Sequence, residues 1–436
     1  MIGAARSRLA QDSLAKNSFF ISLSNASMGL LGFLFWILAA HLYPARAVGV
    51  ATTLVTGAVL VGYVSQLGFN TTFVRYLPTS EEPDAEINTG LTMVLIAALV
   101  IGTLYIAFIP DFVPQLRSLR ASWWETACVV VFLASGSVNL VTDSVFIAHR
   151  AAVYNFFVDG VLQTGIRLAL PIVLVGLGAF GLYAAFGVGA TAAVAASIAL
   201  MMVRFSYRPA VQISRSALKR VVAFGAANYI GAVLSMIPVV CLPLFAVRDL
   251  GAATGGYFYL GLQAANLLYV GSFAASQSLF AEGAQRDARL GELALRSLRL
   301  QVLVLIPGAV ALGLGAHWIL YIFGPSYSAH GTANLQILAA STPVVILNYW
   351  TTALLRVRDR LVALVVSNAA WAAVTVAMVA ATIHRGLIWA AISWAVGNLV
   401  SGTIGGAALL MHDRRRQPVV STLVVSPVPD GRESHS

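Results

Sequence analysis

Charged residues are scarce in this chain of 436 residues: Asp, Glu, Lys and Arg make up only 10% of it, whereas 59% is hydrophobic. A soluble protein cannot bury that much apolar surface in one core and still cover its outside with so few charges. The composition therefore excludes a soluble domain and indicates a protein that crosses a membrane several times.

Several motifs are also missing. The two cysteines, Cys128 and Cys241, both lie in long apolar segments, so we expect buried thiols without a disulfide. The sequence contains no GxxxxGK[ST] motif, which argues against an ATP-driven pump, and no Cys/His cluster that offers a metal site. Carboxylate pairs are absent from loops of useful size. We expect neither enzymatic activity nor a metal or other cofactor.

Long apolar runs are what the chain has in abundance. A transmembrane helix needs about 20 mainly apolar residues, and charged or Gly-rich breaks divide the sequence into runs of that size. The predicted spans are 17–41, 48–71, 89–110, 124–147, 157–177, 181–203, 221–246, 252–279, 300–323, 332–355, 361–383 and 386–411. The predicted fold is an all-α polytopic membrane protein with twelve transmembrane helices.

The basic residues predict the orientation. Most of the 27 Lys and Arg residues fall in the loops that share a side with the N-terminus. By the positive-inside rule, both termini are predicted to be cytoplasmic in a cytoplasmic (plasma) membrane. The same bias accounts for the net charge of +10 without nucleic acid, and a basic face suits anionic lipid headgroups.

The twelve segments form two copies of a six-segment unit. The sequence HLYPARAVGV (41–50) aligns with RDLGAATGGY (248–257), which pairs Ala45 with Ala252 and Gly49 with Gly256. We expect two homologous six-helix bundles related by an axis along the membrane normal, with the substrate path between them. The predicted divisions are a cytoplasmic N-terminus (1–16), an N-terminal bundle (17–203), a connector (204–220), a C-terminal bundle (221–411) and a disordered cytoplasmic tail (412–436).

Two polar stripes occupy neighbouring spans, where an ionisable side chain needs a partner, water or a function. The fifth span has polar residues at i, i+4 and i+8, namely Asp159, Gln163 and Arg167. The fourth span has the matching set Ser135, Asn139 and Asp143. Because residues at this spacing share a helix face, helices four and five are predicted to face a shared aqueous cavity.

Arg167 is the main candidate for binding an anionic headgroup because it lies about ten residues into its span, near the bilayer midplane. Asp143 or Asp159 would hold this arginine when the site is empty, or titrate during the transport cycle. Arg75, at the cytoplasmic end of the second span, would attract a phosphate to the cavity mouth. A structural ion pair for the midplane groups and ordinary flanking for Arg75 stay open.

Three stretches resemble recurrent sequences of the polysaccharide transporters of the multidrug/oligosaccharidyl-lipid/polysaccharide (MOP) flippase superfamily: FWILAAHLYPARAVGVATTLV (35–55), LGFNTTFVRYLP (67–78) and YIFGPSYSAHGTANLQILA (321–339). The resemblance implies two six-helix bundles around a central cavity. It also implies a flippase that moves polyprenyl-pyrophosphate-linked oligosaccharide by alternating access, for surface polysaccharide biosynthesis. The implied partners are this anionic lipid-linked glycan, membrane lipids, a coupling ion (H+ or Na+) and the polymerase or glycosyltransferases of the same pathway.

Two other function classes stay open. A MATE-type cation-coupled drug antiporter shares the implied architecture, but commonly carries a carboxylate in its first span, where this chain has none. A membrane enzyme of polysaccharide assembly would need sizeable external loops with polar catalytic groups. The chain also departs from some related flippases because its first span contains no arginine.

Overall fold

The computed structural model describes residues 23–24, 27–283 and 289–416. All the regular secondary structure in these ranges is helical, and they contain no strand. A helix bonds its backbone N–H and C=O groups within one segment, which is what a chain needs in lipid. The predicted all-α fold is confirmed. The predicted N-terminus 1–16 and residues 417–436 of the predicted tail lie outside the described residues.

The helices divide into two halves. The N-terminal half contains α1 (Ser27–Leu42), α2 (Ala45–Ser65), α3 (Phe69–Tyr76), α4 (Pro83–Phe112), α5 (Trp123–Ala148), α6 (Val153–Val173) and α7 (Gly178–Phe205). The C-terminal half contains α8 (Arg215–Leu250), α9 (Ala252–Gly283), α10 (Leu290–Leu314), α11 (Ala316–Tyr321), α12 (Pro325–Ala340), α13 (Thr342–Val357), α14 (Leu361–Thr382) and α15 (Ile388–Arg416).

Each predicted span overlaps a helix or two consecutive helices, and residues 17–22 and 25–26 of the first predicted span lie outside the described residues. Within the described residues, nine helices are individually long and apolar enough to cross a membrane, or ten if the bent pair α12–α13 is one span. The two other predicted spans correspond to α1, which is shorter, and to α9, which carries Gln263 and Asn266 near its middle. The structure supports a multi-pass membrane protein, and twelve spans remain a prediction.

Three predicted spans are broken, one of them (300–323) at Gly315 between α10 and α11. The span predicted at 332–355 bends by 45° between α12 and α13, because Pro343 in the first turn of α13 has no N–H for a preceding carbonyl. The span predicted at 48–71 ends at Ser65, and α3 begins after Leu67 and Gly68, both with positive φ. By contrast, Pro238 and Pro243 lie inside the continuous helix α8.

The two halves meet along α2 and α9, near the N-terminal ends of both helices. A Cβ atom built on Gly256 would lie 3.2 Å from the Ala45 carbonyl oxygen and 3.2 Å from the Gly49 nitrogen. The residues paired by the sequence repeat, Ala45 with Ala252 and Gly49 with Gly256, therefore face each other across the interface. A contact between equivalent residues is what a pseudo-twofold axis between the halves produces.

The connector between the halves is fixed to the start of α4. Its non-helical part covers residues 206–214, because α8 already begins at Arg215. Asn88 accepts hydrogen bonds from the Tyr207 hydroxyl (2.5 Å) and the Ala210 N–H (2.9 Å). Burial, and to a lesser extent Asp84, raise the pKa of Tyr207 to about 12, so its phenol stays a neutral donor. We refer to this end of the molecule as the connector side.

Candidate functional site

The candidate site is built on a distorted stretch of α6. Residues Phe156–Gln163 form a π-helix, and Thr164–Val173 then continue as α-helix. The Thr164 hydroxyl donates to the Asp159 carbonyl five residues earlier (2.7 Å), which satisfies a backbone acceptor in the widened turn. Short π segments inside helices occur frequently at functional sites. This one holds Asp159 and Gln163, two of the predicted site residues.

Gln163 joins Asp159 to Arg167. In the amide orientation that satisfies both neighbours, the Gln163 nitrogen donates to Asp159 Oδ1 (3.0 Å) and its oxygen accepts from Arg167 Nη2 (2.5 Å). The predicted stripe is thus a chain of hydrogen bonds along one face of α6. Arg167 and the carboxylate interact through the amide, rather than as the direct ion pair that the sequence left open.

Two carboxyl groups meet beneath this chain. Asn139 of α5 donates to Asp159 Oδ1 (2.9 Å), and the Asp143 and Asp159 side chains are themselves hydrogen-bonded. A hydrogen bond between two carboxyl groups requires one proton between them, since carboxylates at this range cannot both be ionised without a large cost. The structure therefore brings Asn139, Asp143, Asp159, Gln163 and Arg167 into one network between α5 and α6.

The arginine end of the network lies among aromatic rings at the contact between the halves. The Arg167 guanidinium carbon is 4.7 Å from the centre of the Phe186 ring of α7, and Tyr259 of α9 interacts with it electrostatically. Trp36 lies beside both rings, 5.8 Å from Phe186 and 5.0 Å from Tyr259 between ring centres. Arg167 Nε is buried and has no hydrogen-bond partner. A half-buried cation with a buried, unpartnered N–H next to the other half of the protein is suited to receive an anion.

A glycine makes room for this arrangement. A Cβ atom on Gly189 of α7 would lie 3.0 Å from the Gln163 carbonyl oxygen and 3.2 Å from Arg167 Cγ. The absence of a side chain at Gly189 lets α6 approach α7 closely enough to bring Arg167 against Phe186. Neither Phe186 nor Tyr259 could be assigned to the site from sequence, because both read as ordinary apolar positions of a membrane helix.

One sequence prediction about the stripes needs correction and one stays a prediction. Asn139, Asp159 and Gln163 are each at most 5% exposed, and Asp159 accepts hydrogen bonds from both amides. The aqueous cavity shared by helices four and five stays a prediction. Ser135 does not join these three residues, because its hydroxyl accepts from Thr191 of α7 (3.0 Å). Positions four residues apart drift around a helix of 3.6 residues per turn, which carries Ser135 towards α7.

Arg75 lies apart from this network. It is an exposed residue in the last turn of α3, with its guanidinium 5.5 Å from the centre of the Tyr76 ring. The contacts of the described residues do not bring it to Arg167. Its role in attracting a phosphate stays a prediction.

The C-terminal half repeats the helix contact with different chemistry. A Cβ atom on Gly397 of α15 would lie 2.9 Å from Trp371 Cδ1 and would overlap the Thr375 hydroxyl. Gly189 of α7 faces Gln163 and Arg167 in the same way in the N-terminal half. Thr375 and Trp371 thus take the places of Arg167 and Gln163. The neighbouring amides are occupied by hydrogen bonds within the bundle, Asn348 to Asn398 (2.9 Å) and Ser401 to Asn348 (2.8 Å). The halves share a backbone plan but not a charge pattern.

Solved structures have the same fold. The chain is similar to the inward-closed conformation of the lipid II flippase MurJ, with a TM-score of 0.75 and 10% identity over 90% of this chain and 87% of that one. It is similar to the inward-facing conformation of a multidrug resistance MATE family transporter of the MOP superfamily, with a TM-score of 0.68 and 16% identity over 91% and 96% of the two chains.

A third similar structure is a MOP superfamily transporter from Pyrococcus furiosus, described by the reverse polarity of its binding pocket, with a TM-score of 0.58 and 16% identity over 92% of this chain and 95% of that one. No family model and no curated protein matches the sequence. At these identities the comparisons show the fold, which is that of MOP superfamily transporters. The predicted resemblance is confirmed at that level.

Proposed function

We propose that this protein is a flippase that translocates a polyprenyl-pyrophosphate-linked oligosaccharide across the cytoplasmic membrane by alternating access. The observation that carries the proposal is Arg167, a half-buried residue whose Nε–H is buried and unpartnered at the contact between the two halves. The fold supports a transporter over an enzyme, because the similar structures are transporters and a flippase. The proposed orientation places both termini and the connector in the cytoplasm.

The network supplies a way to take up and release an anion. In the closed site, the Gln163 oxygen accepts a hydrogen bond from Arg167, and the Gln163 nitrogen donates one to Asp159. When the halves separate, an incoming pyrophosphate displaces the amide and accepts from the guanidinium through charge-assisted hydrogen bonds. The sugars follow into the space between the halves, while the lipid tail stays in the bilayer. When the Gln163 contact to Arg167 re-forms, the anion is released.

The carboxyl pair would couple this exchange to protons. With one proton shared by Asp143 and Asp159, the pair carries a single negative charge beside Arg167, and a second proton would cancel it. A neutral pair leaves Arg167 free to hold the substrate anion, whereas an ionised pair competes for it. We therefore propose H+ as the coupling ion. A charge moved across the membrane contributes about 2.3 kcal/mol per 100 mV, enough to reset the empty carrier.

The test is reconstitution in vesicles with fluorescent lipid-linked oligosaccharide, following the accessibility of the label to an added quencher. Wild-type protein should make the label accessible faster than empty vesicles do. Arg167→Gln should slow flipping by about 10–100-fold, the loss of one hydrogen bond to a charged group, and Arg167→Lys should retain part of the rate. Exposed Arg299 provides the matched control Arg299→Gln, which should leave the rate unchanged. Equal accessibility with wild-type protein and with empty vesicles would contradict the proposal.

A second candidate is a MATE-type antiporter for organic cations. The observation that favours it is the carboxyl pair Asp143 and Asp159 in the same network, which carries negative charge. The aromatic rings of Trp36, Phe186 and Tyr259 lie at the arginine end of that network and could pack against an aromatic cation. The candidates separate by mutation. Ethidium efflux driven by a pH gradient should be abolished by Asp159→Asn and retained in Arg167→Gln if the antiporter is correct, whereas a flippase should fail to transport ethidium at all.

A further inference from the structure

A cavity lies inside the C-terminal half, on different helices from the Arg167 network. It has a volume of about 110 Å³ and is bounded by α8, α9, α13 and α14. One water molecule needs only about 10–15 Å³ on this measure, so the cavity has room for a larger polar group. Its lining includes Ser276 of α9, Arg356 of α13 and Trp371 of α14.

Three hydrogen-bond donors in this lining have no acceptor. Arg356 Nε, Trp371 Nε1 and Ser276 Oγ are each buried and unpartnered. The exposure of Trp371 and Ser276 is only 3% and 4%, so bulk water does not satisfy them. A buried donor without a partner costs about 1–3 kcal/mol, and few such groups occur in a folded protein. Three of them around one cavity indicate a ligand that supplies acceptors.

The charge of the lining selects an anion. The residues that bound the cavity include Arg356 but no Asp or Glu. Two of the three side-chain amides there are already engaged, because Asn348 pairs with Asn398 and Ser401, and Asn368 donates to the Gly231 carbonyl (3.2 Å); the third, Gln277, is exposed. The cation therefore has no internal counter-charge in this lining, unlike Arg167 with its carboxyl pair. An oxyanion would accept from the guanidinium, the indole and the hydroxyl together.

Aromatic rings define the rest of the cavity. Phe273 and Tyr349 meet edge to face, with ring centres 6.0 Å apart, and both line the cavity with Trp371. Aromatic faces pack against the C–H faces of a sugar ring, while the polar donors bind a substituent of that ring. We propose that this cavity binds the carboxylate or phosphate of an acidic sugar. The assignment of that sugar to the transported glycan rests on the proposed flippase function.

The cavity is not the symmetry-related copy of the Arg167 site. The position of Arg167 corresponds to Thr375 in the repeat, and Arg356 lies at the end of α13, close to the connector side. Although Arg356 lies in the last turn of its helix, its side chain lines a cavity within the bundle. The sequence does carry a signal: Asn348, Thr352 and Arg356 repeat the i, i+4, i+8 spacing of Asp159, Gln163 and Arg167.

Equilibrium binding to the purified full-length protein in neutral detergent tests this site without transport. Glucuronate and inorganic phosphate should bind by calorimetry, and neutral glucose should bind at least about tenfold more weakly, the loss of one charge-assisted hydrogen bond. Arg356→Gln should weaken glucuronate binding by about tenfold or more, and Trp371→Phe should weaken it less. The control Arg299→Gln, an exposed arginine outside the cavity, should bind as wild type. Melting curves identify any variant that fails to fold.

Two outcomes would overturn the assignment: glucose binding as tightly as glucuronate, or wild-type glucuronate affinity in Arg356→Gln. Lipid phosphate is the other source of an oxyanion, so binding is repeated in nanodiscs with and without phosphatidylglycerol. Competition by this lipid that disappears in Arg356→Gln would overturn the glycan assignment and leave a lipid site. Arg356-dependent binding in a protein that does not flip lipid-linked oligosaccharide would overturn the proposed function alone, and flipping without such binding would overturn the cavity alone.

Discussion

Replacing Gly49 by alanine should force the two halves apart on the side opposite the connector. A Cβ atom at this position would overlap the Ala252 carbonyl oxygen and lie 2.6 Å from its carbon and 3.1 Å from the Gly256 nitrogen. Carbon atoms in contact are about 3.5 Å apart or more, so α2 and α9 must separate by about 1 Å. The obstacle is backbone, which cannot rotate away as a side chain does.

The expected cost follows from this overlap. Overpacking a well-packed contact costs about 1–3 kcal/mol, and a clash with backbone belongs at the upper end of that range. For a chain of this size, about 3 kcal/mol corresponds to a fall in melting temperature of about 3 °C. Gly136 provides the matched control, because a Cβ atom there would meet nothing within 4 Å. Alanine at that helical position should be neutral or stabilising by up to about 1 kcal/mol.

Two measurements test the prediction. The first is the melting temperature of each variant in detergent. The second is the distance between spin labels at His41 and Asp249, one in each half, after Cys128 and Cys241 are replaced by serine. Gly49→Ala should melt lower and lengthen this distance, while Gly136→Ala should change neither. If Gly49→Ala and Gly136→Ala have the same melting temperature and the same label distance, the close approach of α2 and α9 does not hold the halves together.

Three further predictions concern the ends of the helices. Arg220→Gln removes the 2.8 Å ion pair to Glu86; because Arg220 is 38% exposed, we expect a loss of only about 1 kcal/mol, measured by a double-mutant cycle with Glu86→Gln. Because the pKa of Tyr207 is raised, its contribution to stability is complete below pH 10 and is lost as pH rises to about 12. In Tyr207→Phe, the free energy of unfolding should therefore depend less on pH between pH 10 and 12. Arg248→Gln removes a guanidinium 4.5 Å from the Phe112 ring centre and should cost about 0.5–1 kcal/mol by chemical unfolding.

The architecture was predictable because its signals are local. Apolar runs of the right length mark helices wherever they occur, and the Gly-rich sequence after residue 174 marks a turn, where Gly178 has φ of +56° between α6 and α7. The sequence repeat predicted more than the number of helices. By pairing Gly49 with Gly256 it identified two residues that prove to be in contact at the interface of the halves.

The chemistry of the site was only partly predictable, because it depends on contacts between helices. The spacing of Asp159, Gln163 and Arg167 was sufficient to place them together, and the structure joins them by hydrogen bonds. The π-helix within α6 and the direction of Ser135 depend on how α5, α6 and α7 pack, which no periodicity records. Tyr259 belongs to the other half of the chain, so no local pattern relates it to Arg167.

The difference between the two half-buried arginines, Arg167 and Arg356, bears on how a bound anion would leave. Arg167 has an internal competitor, since in the proposed cycle the amide of Gln163, itself bonded to Asp159, regains an Arg167 donor when the halves close. Arg356 has no carboxylate in the lining of its cavity, so an anion there is displaced only by water or by opening of the bundle. An anion shared between the two sites would therefore be released first from the N-terminal half. If that order holds, Asp159→Asn should prolong the retention of substrate in the N-terminal half, whereas Arg356→Gln should shorten retention without abolishing entry.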